Sequence, residues 1–270
     1  MYLTDFYKPY QHGAIYRGAP HTERELTHTE CKEIMHAYRA WFVRNVYNFD
    51  CKDETSFWFV IQDKPLKIED LPSKCRNQVR RSLKSLLFSK IDRESFVKGG
   101  GYFCYLESFK RYKVKTSAPM SEERFNNHIA SVPDNTDFWV AIEQETKKMI
   151  AYAEVLCQDG CAKYTALKGI PEFLNKYYPF YGLLFVMNKY YIDEHGYQFV
   201  TDGARSISEH SNIQTFLEKF RFRKAYCHLN VTYVWWLKVI IDILYPFRNL
   251  FCYGKLGYLL RFEAINRNQY

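Results

Sequence analysis

Apolar residues recur along the chain in two rhythms, one helical and one alternating. At helical spacing, Ile34, Met35, Tyr38, Trp41 and Phe42 predict a helix over residues 29–44. Residues 71–87 place Cys75, Val79, Leu83, Leu86 and Leu87 on one face and Arg76, Arg80 and Lys84 at four-residue steps on another. A helix over 121–132 is announced by Ser121 at its cap with Glu122 and Glu123 in its first turn. The apolar run 181–193 predicts a helix ended by His195 and Gly196. In 211–220, Ser211 and Gln214 form a capping box, and Ile213, Phe216, Leu217 and Phe220 share a face. Short apolar or alternating runs predict strands at 56–61, 102–106, 138–142, 149–157, 161–167, 197–201 and 224–233.

Gly99, Gly100 and Gly101 break the pattern and read as a hinge. They divide an irregular α+β lobe, residues 1–98, from a cleaner domain, residues 99–233, and a C-terminal aromatic extension, residues 234–270, completes the chain. From 102 to 233 the order is β, α, β, β, β, α, β, α, β. A meander followed by two strand–helix–strand crossovers makes the expected class α/β (α+β), a mixed and mostly antiparallel sheet flanked by helices. The strands at 161–167 and 197–201 should then be parallel and joined by a right-handed crossover. The helix between them would begin with unpaired backbone N–H groups, a ready anion site.

Composition narrows the class. Apolar residues make up 47% and charged residues 25% of the 270 residues, which excludes disordered, collagenous and coiled-coil chains. Aromatic residues reach 18%, so a dense core and some adhesive surface are expected. A net charge of +8 permits anionic partners without choosing among them. Eight of that charge's cations and two acids fall in residues 74–98. The eight cysteines show no CxxC or CxxH spacing, so no metal is expected and free thiols in a reducing compartment are. The opening residues lack a signal-peptide pattern and no long uncharged apolar run follows, so a cytoplasmic protein is expected. Residues 234–252 are strongly apolar but are interrupted by Lys238, Asp242, Pro246 and Arg248. They read either as a packing helix or as a peripheral helix at the inner face of a membrane.

The element order, together with HSNIQTFLEKFRF at 210–222, resembles the GNAT superfamily of N-acetyltransferases. In that family an Asn opens the late helix, as Asn212 does here, and a YEK-x-GF-like element closes it, where this chain has Leu217-Glu218-Lys219-Phe220-Arg221-Phe222. The helix LPSKCRNQVRRSLK after an apolar strand further resembles the FemAB-like branch, whose members join two such lobes. The resemblance implies a sheet whose 161–167 and 197–201 strands splay to admit the arm of an acyl-CoA. The donor's pyrophosphate would lie at 178–182, which assigns Tyr181, Gly182 and Asn212 to cofactor binding. The family's arginine or glutamine with two glycines is absent there, and only Gly182 remains. Leu217 stands where a tyrosine often protonates the leaving thiolate. The FemAB-like branch implies aminoacyl-tRNA as an alternative donor. The acceptor would be an amine, on a small molecule or a cell-envelope precursor.

Candidate chemistry concentrates in residues 201–210, after one strand and before a capped helix. Sites in open sheets lie at the carboxyl ends of strands. Asp202 and His210 are the candidate bases, and Arg205 and Ser206 would hold the acceptor. The same stretch also reads as a solvated loop, since Asp-Gly is a turn signal. Arg76, Arg80 and Lys84 read either as the wall of an anionic cleft or as a solvated helix face. GxSxG and HExxH elements are absent. Two classes of function remain: an acyltransferase with an amine acceptor, and a binding or scaffold protein that keeps the fold without the chemistry. Binding of nucleic acid through the 76–84 face ranks below both.

Overall fold

The computed structural model describes residues 2–111, 118–205, 213–251 and 254–269. The chain opens on a hairpin, β1 (Tyr7–Tyr10) and β2 (Gly13–Tyr16), turned by Gln11 and His12 at φ 47° and 65°. Two positive φ values suit the right-handed twist of the strands. Helix α1 (His28–Tyr38) starts at a capping box in which the Thr27 side chain accepts from the Glu30 N–H. It ends at Arg39, φ 49°, where the Ala40 N–H donates to the Met35 carbonyl at 2.8 Å. The helix expected over 29–44 therefore stops early, and β3 (Phe42–Tyr47) and β4 (Phe57–Gln62) follow.

Helix α2 (Ser73–Ser85) gives way to β5 (Leu86–Ile91), where the sequence pattern extends the helix to 87. Helix α3 (Arg93–Lys98) ends at Gly99, and α4 (Gly101–Ser108) starts at once behind Gly100, φ 95°. Residues 102–106, expected as a strand, are thus helical. Their buried neighbours are Gly101, Cys104, Tyr105 and Ser108, a helical set rather than an alternating one. The glycine run is a junction of two helices inside one unit. Helix α5 (Glu122–Ser131) carries the expected Ser121 cap. The meander β6 (Thr136–Glu143), β7 (Met149–Gln158) and β8 (Cys161–Gly169) follows. Then come α6 (Pro171–Leu174), α7 (Pro179–Asn188), β9 (Phe199–Ala204), α8 (Ile213–Glu218), β10 (Arg223–Tyr233), α9 (Trp235–Leu244) and α10 (Gly254–Asn266).

These elements form two compact units, neither continuous in sequence. The first comprises Met1–Val60, Ala204–Asn212 and Lys224–Tyr270. Its strands run β1-β2-β3-β10, with β2 and β3 parallel and the rest antiparallel. Val43 faces α1 together with Cys31 and Ile34, while Val46 faces Leu237, Ile241, Phe262 and Ile265 of the two last helices. A carboxylate at the centre of that packing, Glu263, is fully buried. It accepts from the Tyr233 hydroxyl at 2.9 Å, Asn266 Nδ2 at 3.0 Å and Arg267 Nε at 2.8 Å.

The second unit comprises Ile61–Gly203 and Ile213–Arg223. Its strands run β5-β6-β7-β8-β9, antiparallel except for the parallel pair β8–β9. Aromatic rings fill its core: Phe96 stacks on Phe138 with centroids 4.7 Å apart and meets Tyr152 edge-on at 4.9 Å. Both units are mixed and mostly antiparallel sheets flanked by helices, the expected class.

Candidate active site

The candidate site lies where β8 and β9 part company. Their parallel register pairs Cys161 with Phe199, Ala162 with Val200 and Lys163 with Thr201. Beyond these three rungs β8 continues to Gly169 and β9 to Ala204 with no further pairing to each other. Both strands are bent at this point. On β8 the register against β7 shifts between Glu154 and Val155, and Thr165 turns its hydroxyl onto the Glu154 carbonyl at 3.1 Å. On β9 Gly203 adopts φ 102°, a value a side chain rarely tolerates, and its N–H donates to Thr201 Oγ1 at 3.0 Å. The Asp-Gly pair read as a turn is therefore a kink within a strand. The strands open at residues 164 and 202, at the opposite end from Tyr197, whose N–H is held by the Tyr191 carbonyl at 2.8 Å.

At the mouth of this opening stands Asp202. Burial raises its carboxyl from the usual range to about 6, with the Lys163 ammonium opposing the rise. Beside it in charge terms is Tyr164, whose phenol is pushed upward by burial and further by the Asp202 carboxylate. The Tyr164 hydroxyl is buried with no hydrogen-bond partner among the described residues. A buried hydroxyl left unpaired is costly, and it sets Tyr164 apart from the other aromatic residues of the core. Tyr164 was not singled out from the sequence. Its ring packs against Phe222 at 6.3 Å and resembles any core aromatic in the pattern of β8.

The other expected site residues are placed as follows. His210, Ser206 and Asn212 lie outside the described residues. Arg205 belongs to the first unit, where it donates to the Ser56 carbonyl at 2.8 Å and lies 4.3 Å from the Trp58 ring centroid. Tyr181 is half-buried between Phe216 at 5.0 Å and Phe220 at 5.6 Å, and burial raises its phenol. Gly182 is buried, and a Cβ there would run into the Phe88 ring and come 2.6 Å from Ser82 Oγ. Its lack of a side chain serves the packing of α7 against α2 and β5. Arg76 donates to the Glu69 carbonyl at 3.5 Å and Arg80 lies 4.0 Å from the Glu69 carboxylate. Lys84 is exposed on the same helix.

At the start of α7 one backbone donor is missing and another is already paired. Tyr178 caps it in the left-handed conformation, φ 54°, without a side-chain hydrogen bond to the helix. Pro179 contributes no N–H, and the Tyr181 N–H is already bonded to the Tyr178 carbonyl at 2.9 Å. The Ser82 hydroxyl holds that same carbonyl at 2.9 Å, and Arg81 lies 5.6 Å from the Tyr178 ring centroid. What the opening itself offers is a buried phenolic donor, a carboxylate that titrates near 6 and a lysine one residue from the donor.

A cavity of about 360 Å³ elsewhere in the same unit is bordered by Asp63, Lys64, Asp70, Arg221 and Arg223. Its two arginines are engaged: Arg223 grips Asp63 Oδ2 through Nε at 3.1 Å and Nη2 at 2.5 Å, and Arg221 straddles the Asp70 backbone carbonyl at 3.0 and 2.7 Å. Arg221 adopts φ 63° at the place where the late-helix motif carries glycine. Among the described residues no group of three or more His, Cys, Asp or Glu could hold a metal ion.

No family model matches the chain, and no curated protein sequence does. Solved structures match by fold. FemX superposes with a TM-score of 0.51 at 12% identity over 72% of this chain and 72% of its own. L-PGS from Bacillus licheniformis superposes with a TM-score of 0.50 at 12% identity over 87% of this chain and 82% of its own. At that identity the likeness is one of fold, and the fold is GNAT/FemAB-like.

Proposed function

We propose that the chain is an acyltransferase that moves an acyl or aminoacyl group from an activated thioester or ester to an amine. What supports this reading is the end of the β8–β9 pairing at Lys163 and Thr201, with Tyr164 and Asp202 the next residues of the two strands. The amine attacks the donor carbonyl, and Asp202 takes the proton the nitrogen loses. A carboxylate near 6 is ionised at neutral pH yet basic enough for that role. The Tyr164 O–H, kept protonated by burial, donates to the oxygen on which negative charge develops. The tetrahedral adduct then collapses, breaking the bond to the leaving thiolate or alkoxide. Leu217 is fully buried and supplies no acid, so the proton that Asp202 has taken passes on to the leaving sulfur or oxygen.

Acyl-CoA, the donor implied by the GNAT resemblance, loses support at the start of α7. An aminoacyl ester, as on a charged tRNA, makes no demand on a diphosphate cradle. A small-molecule amine or a cell-envelope precursor at the cytoplasmic side is the acceptor this reading favours. The test is release of free thiol from acetyl-CoA, and transfer from an aminoacyl ester, across a panel of amines. Asp202→Asn should lower whichever turnover is found about 100-fold, with the fold intact by circular dichroism. Full activity of Asp202→Asn removes the base as drawn.

A second reading, a GNAT-like fold kept for binding alone, is favoured by the proline and the filled Gly182 position at α7. It predicts no turnover with either donor, and no rise in melting temperature with CoA or acetyl-CoA, because a ligand that binds the folded state stabilises it.

A further inference from the structure

Helix α9 is apolar on both sides. Leu237 and Ile241 are buried against β10 and α10. The opposite arc carries Trp235, Val239, Ile240 and Ile243 with 79%, 51%, 44% and 62% of their surface exposed. Trp236 joins them and meets Trp41 edge-on, with centroids 5.4 Å apart. The exposed row continues past the helix through Phe247 and Leu250. A helix on a soluble surface turns polar residues outward, and scattered single apolar residues need no account. Here the outward arc is continuous over two turns and lacks a charge. Lys238 and Asp242 are confined to one flank, bonded to each other at 2.8 Å.

We infer that α9 lies in the interface of an anionic lipid bilayer, with Trp235, Ile243 and Leu250 among the acyl chains and headgroups. Three features select lipid over another occupant. Paired tryptophans at the start of the row suit the boundary between headgroup and hydrocarbon. The arc is wide, as in interfacial helices, and its polar atoms are the indole N–H groups of Trp235 and Trp236, which lipid headgroups accept. The charge is of the right sign: residues 234–270 hold five basic and two acidic side chains, Lys238 and Arg267 are paired with Asp242 and Glu263, and Arg248 lies between Phe247 and Leu250 in the sequence. No helix among the described residues is long and apolar enough to cross a membrane, so the mode is surface docking. The inference stands apart from the transfer reading, because no residue of the β8–β9 opening takes part.

The experiment is co-sedimentation of the full chain with vesicles of phosphatidylcholine alone and of phosphatidylcholine mixed with phosphatidylglycerol. The chain should sediment with the mixed vesicles, less with the neutral ones, and less as salt is raised. The double variant Trp235→Ser, Ile243→Ser should lose at least about tenfold in partitioning, with an unchanged melting temperature because both side chains are exposed. Tyr2→Ser, at an equally exposed aromatic outside residues 235–250, should bind as the parent does. Should the double variant fold poorly, brominated acyl chains should quench the fluorescence of the parent more than that of Trp235→Phe. The inference is overturned if the parent ignores mixed vesicles, or if the double variant partitions equally. It is also overturned if sedimentation velocity finds a dimer abolished by the same substitutions while vesicles are not bound.

Discussion

Asp202 is ionised at neutral pH against the preference of the fold. Its folded pKa of about 6 lies above the ordinary aspartate value, so folding favours the protonated form. That stability is complete below the unfolded pKa and is lost as pH rises through the folded one. Asp202→Asn, neutral at every pH, should therefore raise the melting temperature at about pH 8 by roughly 3 °C and change it little at about pH 4. The same substitution should abolish the rise of transfer rate with pH near 6, and the two profiles are separable by calorimetry and kinetics. Glu23 obeys the same sign: burial raises it to about 7, against donation from Asn45 Nδ2 at 3.1 Å. Glu23→Gln should gain stability above neutral pH and little below about pH 4, measured by denaturant melts. Tyr164→Phe removes a hydroxyl without a partner, so the folded state should tighten by about 1 kcal/mol while transfer weakens. Asp202 stands out in the sequence because a polar stretch follows an apolar strand there, which makes it a candidate that the pH profiles above would test. Tyr164 does not stand out, since an unpaired hydroxyl is a property of packing and leaves no mark in the spacing of residues.

At the scale of elements, α7 owes its seat to the missing side chain at residue 182. Gly182→Ala should destabilise by about 1–3 kcal/mol, because the Phe88 ring and Ser82 already occupy the space. The loss is measurable as a lower denaturant midpoint. Helices α5 and α7, the meander and β10 were readable from caps and alternation. Three departures from the sequence pattern share a cause: it predicts helix at 42–44 and 86–87 and strand at 102–106, where the structure has strand, strand and helix. In each case a short apolar run fits both periods, and the partner decides. Phe42 to Tyr47 gains β2 and β10 on its two edges, Leu86 and Leu87 gain β6, and Tyr105 gains the Phe125 ring. The hairpin at residues 7–16 and helix α10 escaped notice because neither carries an Asn-Gly turn or a clear apolar stripe.

For the molecule as a whole, the fold class and the parallel β8–β9 pair were legible, and so was the divergence of that pair, though at the other end of the strands. The composition of the two units was not, since each is assembled from distant segments. Both cores seal their thiols. Burial pushes Cys75 up to about 11 and Cys104, Cys161 and Cys227 up to about 12. A native labelling experiment read by peptide mass should find these four slow to react and all of them fast in denaturant. The first unit has a further property. Val46 and Phe57 are covered by Val231, Leu237 and Phe262, which the ribosome adds only after the second unit has received its last residue. During synthesis those early side chains must wait, uncovered, while their neighbour completes itself. A ribosome stalled before residue 224 would therefore hold a nascent chain with an adhesive amino-terminal segment, a natural client for chaperones.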